Sequence, residues 1–261
     1  MAPANAAVGV DEGRVVGRGT RPGATVDLVQ LGRDSEAYRS LRGHRISMIF
    51  QEPMTALNPL LTCGKQIAEV IRQHKKTDKR QARAEAIQWI ERVQIADPKS
   101  IYDRYPHQLS GGQKQRILIA AALCCKPDLL ICDEPTTALD VTVQKEILEL
   151  IRSEQKKMGM SVLFISHDLA LVSQYADRVA VLYQGKLVED GANPAIFQNP
   201  QHPYTKALIA CRPAAHRKGE RLPLVRDFLE PNSTQHTSST SGSDTYPDTL
   251  LRIEDLSVRY P

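Results

Sequence analysis

The 261 residues are 41% hydrophobic and 25% charged, which predicts a soluble globular protein of one large or two small domains. The net charge of +4 is mild, and Lys and Arg are spread along the chain without interleaved aromatics, which argues against nucleic acid as a partner. The apolar runs are well short of the roughly 20 residues that span a bilayer, and the five Cys form no CxxC pair. A cytosolic chain is therefore predicted.

The first half of the chain is uneven in its patterning. Residues 1–24 are small and Gly-rich without a period, which predicts a poorly ordered leader. HRISMIF, residues 44–50, has the pattern of a buried strand, and residues 67–93 have apolar positions at the spacing of two helical segments. A helix that begins near Gly112 is predicted to stop at Lys126-Pro127, because proline disfavours the helical conformation at the residue before it.

The second half alternates strands with helices. DLLICDEP and SVLFISHD read as buried strands, VTVQKEILELIRSEQKKMG and LALVSQYADR as helices, and RVAVLYQGKLVED as a hairpin that turns at Gln184-Gly185. This alternation predicts an α/β fold with a parallel sheet flanked by helices. We expect one folded domain over 25–212, a linker over 213–248, and the first strand of a further domain over 249–261.

Polar side chains follow three of the predicted strands. Asp133 and Glu134 lie near the end of DLLICDEP, His167 lies near the end of SVLFISHD, and Gln51 follows RISMIF. Ligands of parallel sheets bind at the carboxyl ends of the strands, so these side chains are expected at one rim. One carboxylate could hold Mg²⁺ while the other polarises a water, and the His could contact a phosphate oxygen. Taken singly, the acid pair is more typical of a strand cap and the His of a surface or core residue, and Gln51 could equally belong to a turn.

The LSGGQ stretch offers an anion site at the start of a helix. Ser110 can cap that helix, while Gly111 and Gly112 leave backbone N–H groups open to an anion, and the helix dipole adds favourable potential. A plain helix cap is the alternative reading of the Ser-Gly-Gly tripeptide. The complete pentamer is a much rarer event by chance, which favours phosphate binding.

These motifs in this order resemble an ATP-binding-cassette (ABC) ATPase. LSGGQKQR, DLLICDEP, TTALD and SHD look like its signature motif, Walker B, D-loop and switch histidine, and RISMIFQEP looks like its Q-loop. QEPMTALNP, YPHQLSGGQKQR, DEPTTALDVTVQ and HPYTKAL are similar to the ATPase subunits of the dipeptide, oligopeptide and nickel importers. The resemblance implies an incomplete P-loop NTPase-like sheet with a helical subdomain at about 59–105.

The resemblance also implies residue roles and ligands, with ATP and Mg²⁺ as cofactors. Glu134 would be the general base or water-positioning acid, Asp133 the Mg²⁺ partner, and His167 the γ-phosphate sensor. Gln51 would contact Mg²⁺ and water. The γ-phosphate of ATP held by a partner domain would be bound by Ser110, Gly111, Gly112 and Gln113, and Asp140 would lie at the dimer seam.

The implied partners place the chain at the cytoplasmic face of the cell membrane as a peripheral subunit. They are a second ABC ATPase domain in a head-to-tail dimer, two membrane permease subunits and, indirectly, a substrate-binding protein, with no nucleic acid. Residues 59–105 would dock on the permease. The cargo stays open among a dipeptide, a longer peptide, glutathione and nickel.

The sequence departs from the family pattern at the phosphate loop. GxxxxGK[ST] is expected roughly fifty residues before the Q-loop Gln, and the chain has no such loop; VGRGTRPGAT, residues 16–25, lacks Gly-Lys-Ser/Thr. We therefore expect an impaired ATP site of its own, one uncovered side of the central sheet, and an internal piece of a tandem two-cassette ATPase. The alternative is a non-catalytic assembly or regulatory module that supplies only its LSGGQ face.

Overall fold

The computed structural model describes residues 9–11, 14–18, 25–27, 30–32, 34–51, 56–137, 139–212 and 223–229. The strands are β1 Gly9–Asp11, β2 Arg14–Arg18, β3 Thr25–Asp27, β4 Ile46–Ile49, β5 Leu129–Asp133, β6 Ser161–Ile165, β7 Arg178–Tyr183 and β8 Lys186–Ala192. The helices are α1 Glu36–Leu41, α2 Cys63–Lys75, α3 Lys79–Arg92, α4 Pro98–Asp103, α5 Gly111–Leu123, α6 Val141–Met158, α7 Leu169–Tyr175, α8 Asn193–Gln198, α9 Pro203–Ala210 and α10 Val225–Leu229. A 3-10 turn, Pro106–Gln108, precedes α5.

The central sheet consists of three parallel strands in the order β4-β5-β6. Ile49 pairs with Cys132 and Cys132 with Phe164, and this row lies on the side that belongs to the core. The strands are joined by long crossovers that contain α5 and α6. Parallel strands require such crossovers, because the connection between them needs a dozen or more residues. The predicted α/β class with a helix-flanked parallel sheet is confirmed, and the predicted hairpin is present as β7 and β8.

The opposite side of this sheet is partly exposed among the described residues, although Leu129 on that side is buried. The row Met48, Ile131, Leu163 lies there, and Met48 is 36%, Leu163 42% and Ile165 45% exposed. Parallel sheets are normally covered on both faces because their strands are apolar on both. The expectation of one exposed sheet side agrees with these exposures.

Helix α5 is the centre of the packing. It contacts β4 on one side and the helical unit α2–α4 on the other, and Ile117, Ile119 and Leu123 are fully buried in the shared core. Helix α2 presents Ile67 and Ile71 to this core, which follows from their i, i+4 spacing. The sequence pattern predicted α2 and α3 but not α4. Helices α2–α4 lie inside the range 59–105, and the division into domains stays a prediction.

Two stretches predicted to lack regular structure contain elements. β1 pairs with β2 in antiparallel register, with Asp11 opposite Arg14, inside the range 1–24, and the leader assigned to that range stays a prediction. In the sequence, a Glu-Gly pair at 12–13 stands between two valine-containing segments, which is a weak hairpin signal. Helix α10 falls within the predicted linker and packs on α9. The predicted strand over 249–261 lies outside the described residues.

The HPYTKAL segment folds back onto the hairpin. The Glu189 carboxylate of β8 accepts hydrogen bonds from the backbone N–H groups of Gln201, at 2.7 Å, and His202, at 3.0 Å. The Tyr204 ring lies 4.3 Å from the Tyr183 ring, centroid to centroid. These contacts give HPYTKAL a structural role in fixing α9. Of the helices that the structure describes, none has both the length and the apolar character needed to cross a membrane.

Candidate nucleotide site at the sheet rim

The carboxyl ends of the three parallel strands bring Gln51, Glu134 and His167 together. The Gln51 amide nitrogen, Nε2, donates to Glu134 Oε2 at 3.0 Å, and His167 Nδ1 lies 2.8 Å from Glu134 Oε1. Each of these residues lies one or two positions after the last residue of its strand. Parallel alignment of the strands is therefore enough to place all three at one rim. Glu134 is the common partner of the cluster.

The Glu134 backbone is strained and held on both sides. Its φ is +44°, a left-handed conformation that a residue with a Cβ adopts only where its surroundings impose it. The Glu134 N–H donates to the Ile165 carbonyl oxygen at 3.0 Å, and the Thr137 hydroxyl donates to the carboxylate at 2.9 Å. The strand end of β6 and the turn after β5 therefore fix the direction of this carboxylate.

The hydrogen bonds to Glu134 favour its charged form. Its pKa lies below the usual value, first because of the bond to His167, then because of the Thr137 hydroxyl, with a smaller share from Gln51. The side chain is 21% exposed, so water reaches the group. Glu134 is thus an ionised, oriented carboxylate at neutral pH.

A cavity of about 210 Å³ opens beside this carboxylate. It is lined by Glu134, Thr136, Thr137, Leu139, Gln144, Ser166, His167 and Asp168. Gln144 of α6 donates to the Thr136 hydroxyl at 3.0 Å, which anchors the far wall. The lining is mostly polar and lies at the carboxyl end of a parallel sheet, where folds of this class bind ligands.

The oxygen atoms at the rim could ligate a hard cation only in part. Asp133, the last residue of β5, is half-buried. The Gln51 amide nitrogen faces Glu134, which leaves the amide oxygen available as a metal ligand. Oxygen ligands suit Mg²⁺, which usually keeps several waters and binds substrate phosphates as well. Among the described residues no group of three or more His, Cys, Asp or Glu could hold a metal ion by itself. The rim fits Mg²⁺ that arrives with a phosphate ligand.

The LSGGQ residues form the beginning of α5. The Ser110 hydroxyl accepts from the Gln113 N–H at 3.3 Å, and the Gln113 side chain accepts from the Ser110 N–H at 3.1 Å, a reciprocal capping box. The first-turn N–H groups of Gly111 and Gly112 have no partner within the helix. A Cβ on Gly112 would stand 2.9 Å from a methyl group of Val143. The glycine thus allows the start of α5 to lie against the start of α6.

Asp140 connects this segment with the rim. It caps α6, accepting from the Val143 N–H at 2.9 Å, and it follows the turn that holds Thr136 and Thr137. The predicted site residues therefore fall into two neighbouring groups. Gln51, Glu134 and His167 share direct hydrogen bonds, whereas Gly112 and Asp140 both lie next to Val143 at the starts of α5 and α6.

Comparison with known proteins decides the family. The sequence profile of the ABC transporter family matches residues 12–137. The chain is 46% identical to the glutathione import ATP-binding protein GsiA of Pectobacterium atrosepticum, over 92% of this chain and 39% of that protein. It is 47% identical to the same-named protein of Escherichia coli O157:H7, over 90% of this chain and 38% of that protein. The chain carries an ATP-binding-cassette ATPase domain.

Solved structures agree with the family. A dimeric ATP-binding cassette in a post-hydrolysis state, bound to ADP and Pi, superposes with a TM-score of 0.57 at 24% identity, covering 66% of this chain and 75% of that one. The cbiO1 protein of Clostridium perfringens, part of the cbiONQ ABC transporter complex, gives 0.53 at 28% identity, covering 62% and 61%. The chain spans about two fifths of the length of the GsiA relatives. The predicted resemblance to the peptide-type importer group is confirmed.

Three residues of the ABC domain site escaped the sequence reasoning. Thr137 and Gln144 shape the rim, and Gln115 of α5 is 1% exposed and donates to the Pro135 carbonyl oxygen at 2.5 Å. A Thr three residues after an acid is a local signal for a side-chain hydrogen bond and could have been used. The contact of Gln115 spans 20 residues and leaves no local signal.

Replacing His167 by Ala in the ABC domain is expected to raise the pKa of Glu134. The His167 hydrogen bond is the first cause of the lowered pKa, so its loss favours the protonated form. Carboxyl carbon NMR of Glu134 across the acidic pH range measures the shift. Thr137→Val is expected to give a smaller rise, and an unchanged pKa in His167→Ala would contradict the assignment.

Proposed function

We propose that this ABC domain is the ATP-binding part of an importer for peptides or related small solutes. It couples ATP binding and hydrolysis to transport through two permease subunits fed by a substrate-binding protein, at the cytoplasmic face of the membrane. The observation that carries the proposal is the Glu134 carboxylate, oriented between Gln51 and His167 at the strand ends. The glutathione import role in the names of the relatives supports a small peptide as cargo.

The roles proposed for the rim residues come from the family resemblance, and their geometry supports them. Glu134, ionised and partly exposed, accepts a proton from, or orients, the water that attacks the γ-phosphate. Asp133 and the Gln51 amide oxygen would hold Mg²⁺, which would supply neutralising charge to the phosphates. His167 is 76% exposed on its side chain and can turn from Glu134 to a phosphate oxygen.

The signature residues act on a partner domain. The N–H groups at the start of α5 and the helix dipole favour an anion, which we assign to the γ-phosphate of ATP held by a second ABC domain. Ser110 and Gln113 shape this anion site, and Asp140 contacts the partner at the seam. This 261-residue sequence contains no GxxxxGK[ST], so the backbone cradle and Lys that bind phosphates are lacking and its own ATP site is impaired.

A second candidate function follows from that same departure. A chain without a phosphate loop could serve as a non-catalytic assembly or regulatory module that contributes only its LSGGQ face. The two candidates differ in Glu134. A module of this kind gains nothing from an ionised carboxylate held by three side chains, whereas a hydrolytic site requires one.

The test mixes this chain with a GsiA-type cassette that keeps its phosphate-binding loop. In that partner, the Ser of its own LSGGQ motif is replaced by Asp. Only this chain can then complete the partner's ATP site. We expect turnover by the mixture, and loss of about a hundredfold or more with Ser110→Asp, because Asp keeps the helix cap but repels phosphate. The matched control Ser40→Asp changes an exposed Ser far from the rim and should retain turnover.

Three outcomes separate the candidates. Absence of turnover with the wild-type chain would contradict the signature role. Turnover that drops with Glu134→Gln in this chain would support a hydrolytic contribution of its own site. Turnover that is unaffected by Glu134→Gln but lost with Ser110→Asp would favour the non-catalytic module.

A further inference from the structure

One buried polar side chain next to the rim has no assigned role. Gln115 lies in the second turn of α5 with 1% exposure. Its amide nitrogen donates to the carbonyl oxygen of Pro135 at 2.5 Å, and its amide oxygen is buried without a hydrogen-bond partner. Burying an unpaired acceptor costs free energy, so packing alone would favour an apolar residue here.

The bonded carbonyl belongs to the residue that follows Glu134. Glu134 has the left-handed φ of +44°, and such a conformation persists only where the surroundings determine it. One side of the turn is held by the Glu134 N–H bond to the Ile165 carbonyl oxygen. The Gln115 bond to Pro135 holds the other side, so α5 and β6 clamp the turn between them.

We propose that Gln115 is a positioning residue that fixes the strained Glu134 backbone and thereby keeps the Glu134 carboxylate in reach of Gln51 and His167. Ser110 caps the same helix, so Gln115 also connects the signature segment to the rim of its own domain. The use of this clamp in ATP hydrolysis rests on the proposed function. The clamp itself rests on the two hydrogen bonds described above.

Gln115→Leu separates positioning from stability. Wild type buries one unpaired acceptor, the Gln115 amide oxygen; the variant removes it but leaves the Pro135 carbonyl oxygen without its donor. One unpaired acceptor replaces another at similar side-chain volume, so the midpoint of urea unfolding is expected to stay close to wild type. The Glu134 turn, however, loses its clamp on the α5 side.

Two readouts report the turn directly and require no ATP. Amide hydrogen exchange of Glu134 is expected to speed up by about tenfold or more, while Leu130 in the middle of β5 stays protected. The Gln51 side-chain amide protons are expected to move in NMR toward the position of a free amide, because the Glu134 carboxylate leaves them. Thr62→Val is the control: it removes a different buried polar atom without a partner, the Thr62 hydroxyl at the N-cap of α2, and should change neither readout.

Unchanged exchange at Glu134 in a folded Gln115→Leu variant would overturn the proposal. Faster exchange at Glu134 and Leu130 alike, with a lowered unfolding midpoint, would also overturn it, since Gln115 would then be a general core residue. Neither readout uses the signature face, so failure here is distinguishable from failure of the turnover test with Ser110→Asp.

Discussion

Replacing Arg92 by Ala is expected to lower the free energy of unfolding by about 3 kcal/mol. Arg92 of α3 binds the Glu154 carboxylate of α6 at 2.6 Å, and the Glu154 side chain is 0% exposed. The Arg92 guanidinium also lies over the Trp89 ring, 4.7 Å from its centroid. Truncation removes this packing and leaves a buried carboxylate with Lys157 as its remaining cation, at 2.9 Å. Urea unfolding followed by circular dichroism measures the loss.

The matched control for Arg92→Ala is Lys145→Ala. Lys145 and Glu149 form an exposed pair in α6 at 3.9 Å. Exposed pairs of this kind contribute at most about 0.5 kcal/mol, because water and salt screen them. Equal losses in the two variants would show that burial of Glu154 does not set the stability of the α3–α6 contact, contrary to this account.

Gly64→Ala is the second change with a large expected effect, a loss of at least about 2 kcal/mol. Ala normally favours a helix over Gly by about 1 kcal/mol, so the substitution would stabilise an isolated α2. In the folded chain, however, a Cβ on Gly64 would overlap the Tyr102 ring of α4, and Tyr102 is 4% exposed. The ring is stacked under the Arg83 guanidinium, 4.1 Å from its centroid, which restricts its retreat.

Gly111→Ala provides the comparison for Gly64→Ala. It also lies in a helix, but its added Cβ would stand 3.6 Å from Leu139 Cδ2, an ordinary contact distance. Its stability in urea is expected to equal or slightly exceed wild type. If Gly64→Ala is as stable as Gly111→Ala, then α2 and α4 do not pack as closely as described.

The sequence pattern was sufficient for the elements that position the rim. β5 and β6 are short apolar runs that end in charged or polar residues, and parallel pairing then brings Glu134 and His167 together without further information. The α6 boundary was also readable, because Asp140 is a cap and Gly159 ends the helix in the left-handed conformation.

Features set by distant contacts were not readable from the sequence. The role of Gln115 depends on a carbonyl group 20 residues away, and the left-handed backbone of Glu134 depends on clamps from α5 and β6. The short helix α4 has Ile101 and Tyr102 as its buried residues, too few for a periodic signal. The β1–β2 pairing was missed because Gly-rich composition outweighed a short hairpin signal.

In this sequence Glu134 and the LSGGQ segment are in place, whereas no GxxxxGK[ST] phosphate-binding loop is found. Isothermal titration calorimetry of the chain with ATP and Mg²⁺ measures the effect of this difference on ATP binding, with Glu134→Gln used to suppress turnover. We expect no heat of binding for the chain alone at ATP concentrations up to about 1 mM. A micromolar dissociation constant for the chain alone would contradict it, because another segment would then supply the phosphate cradle.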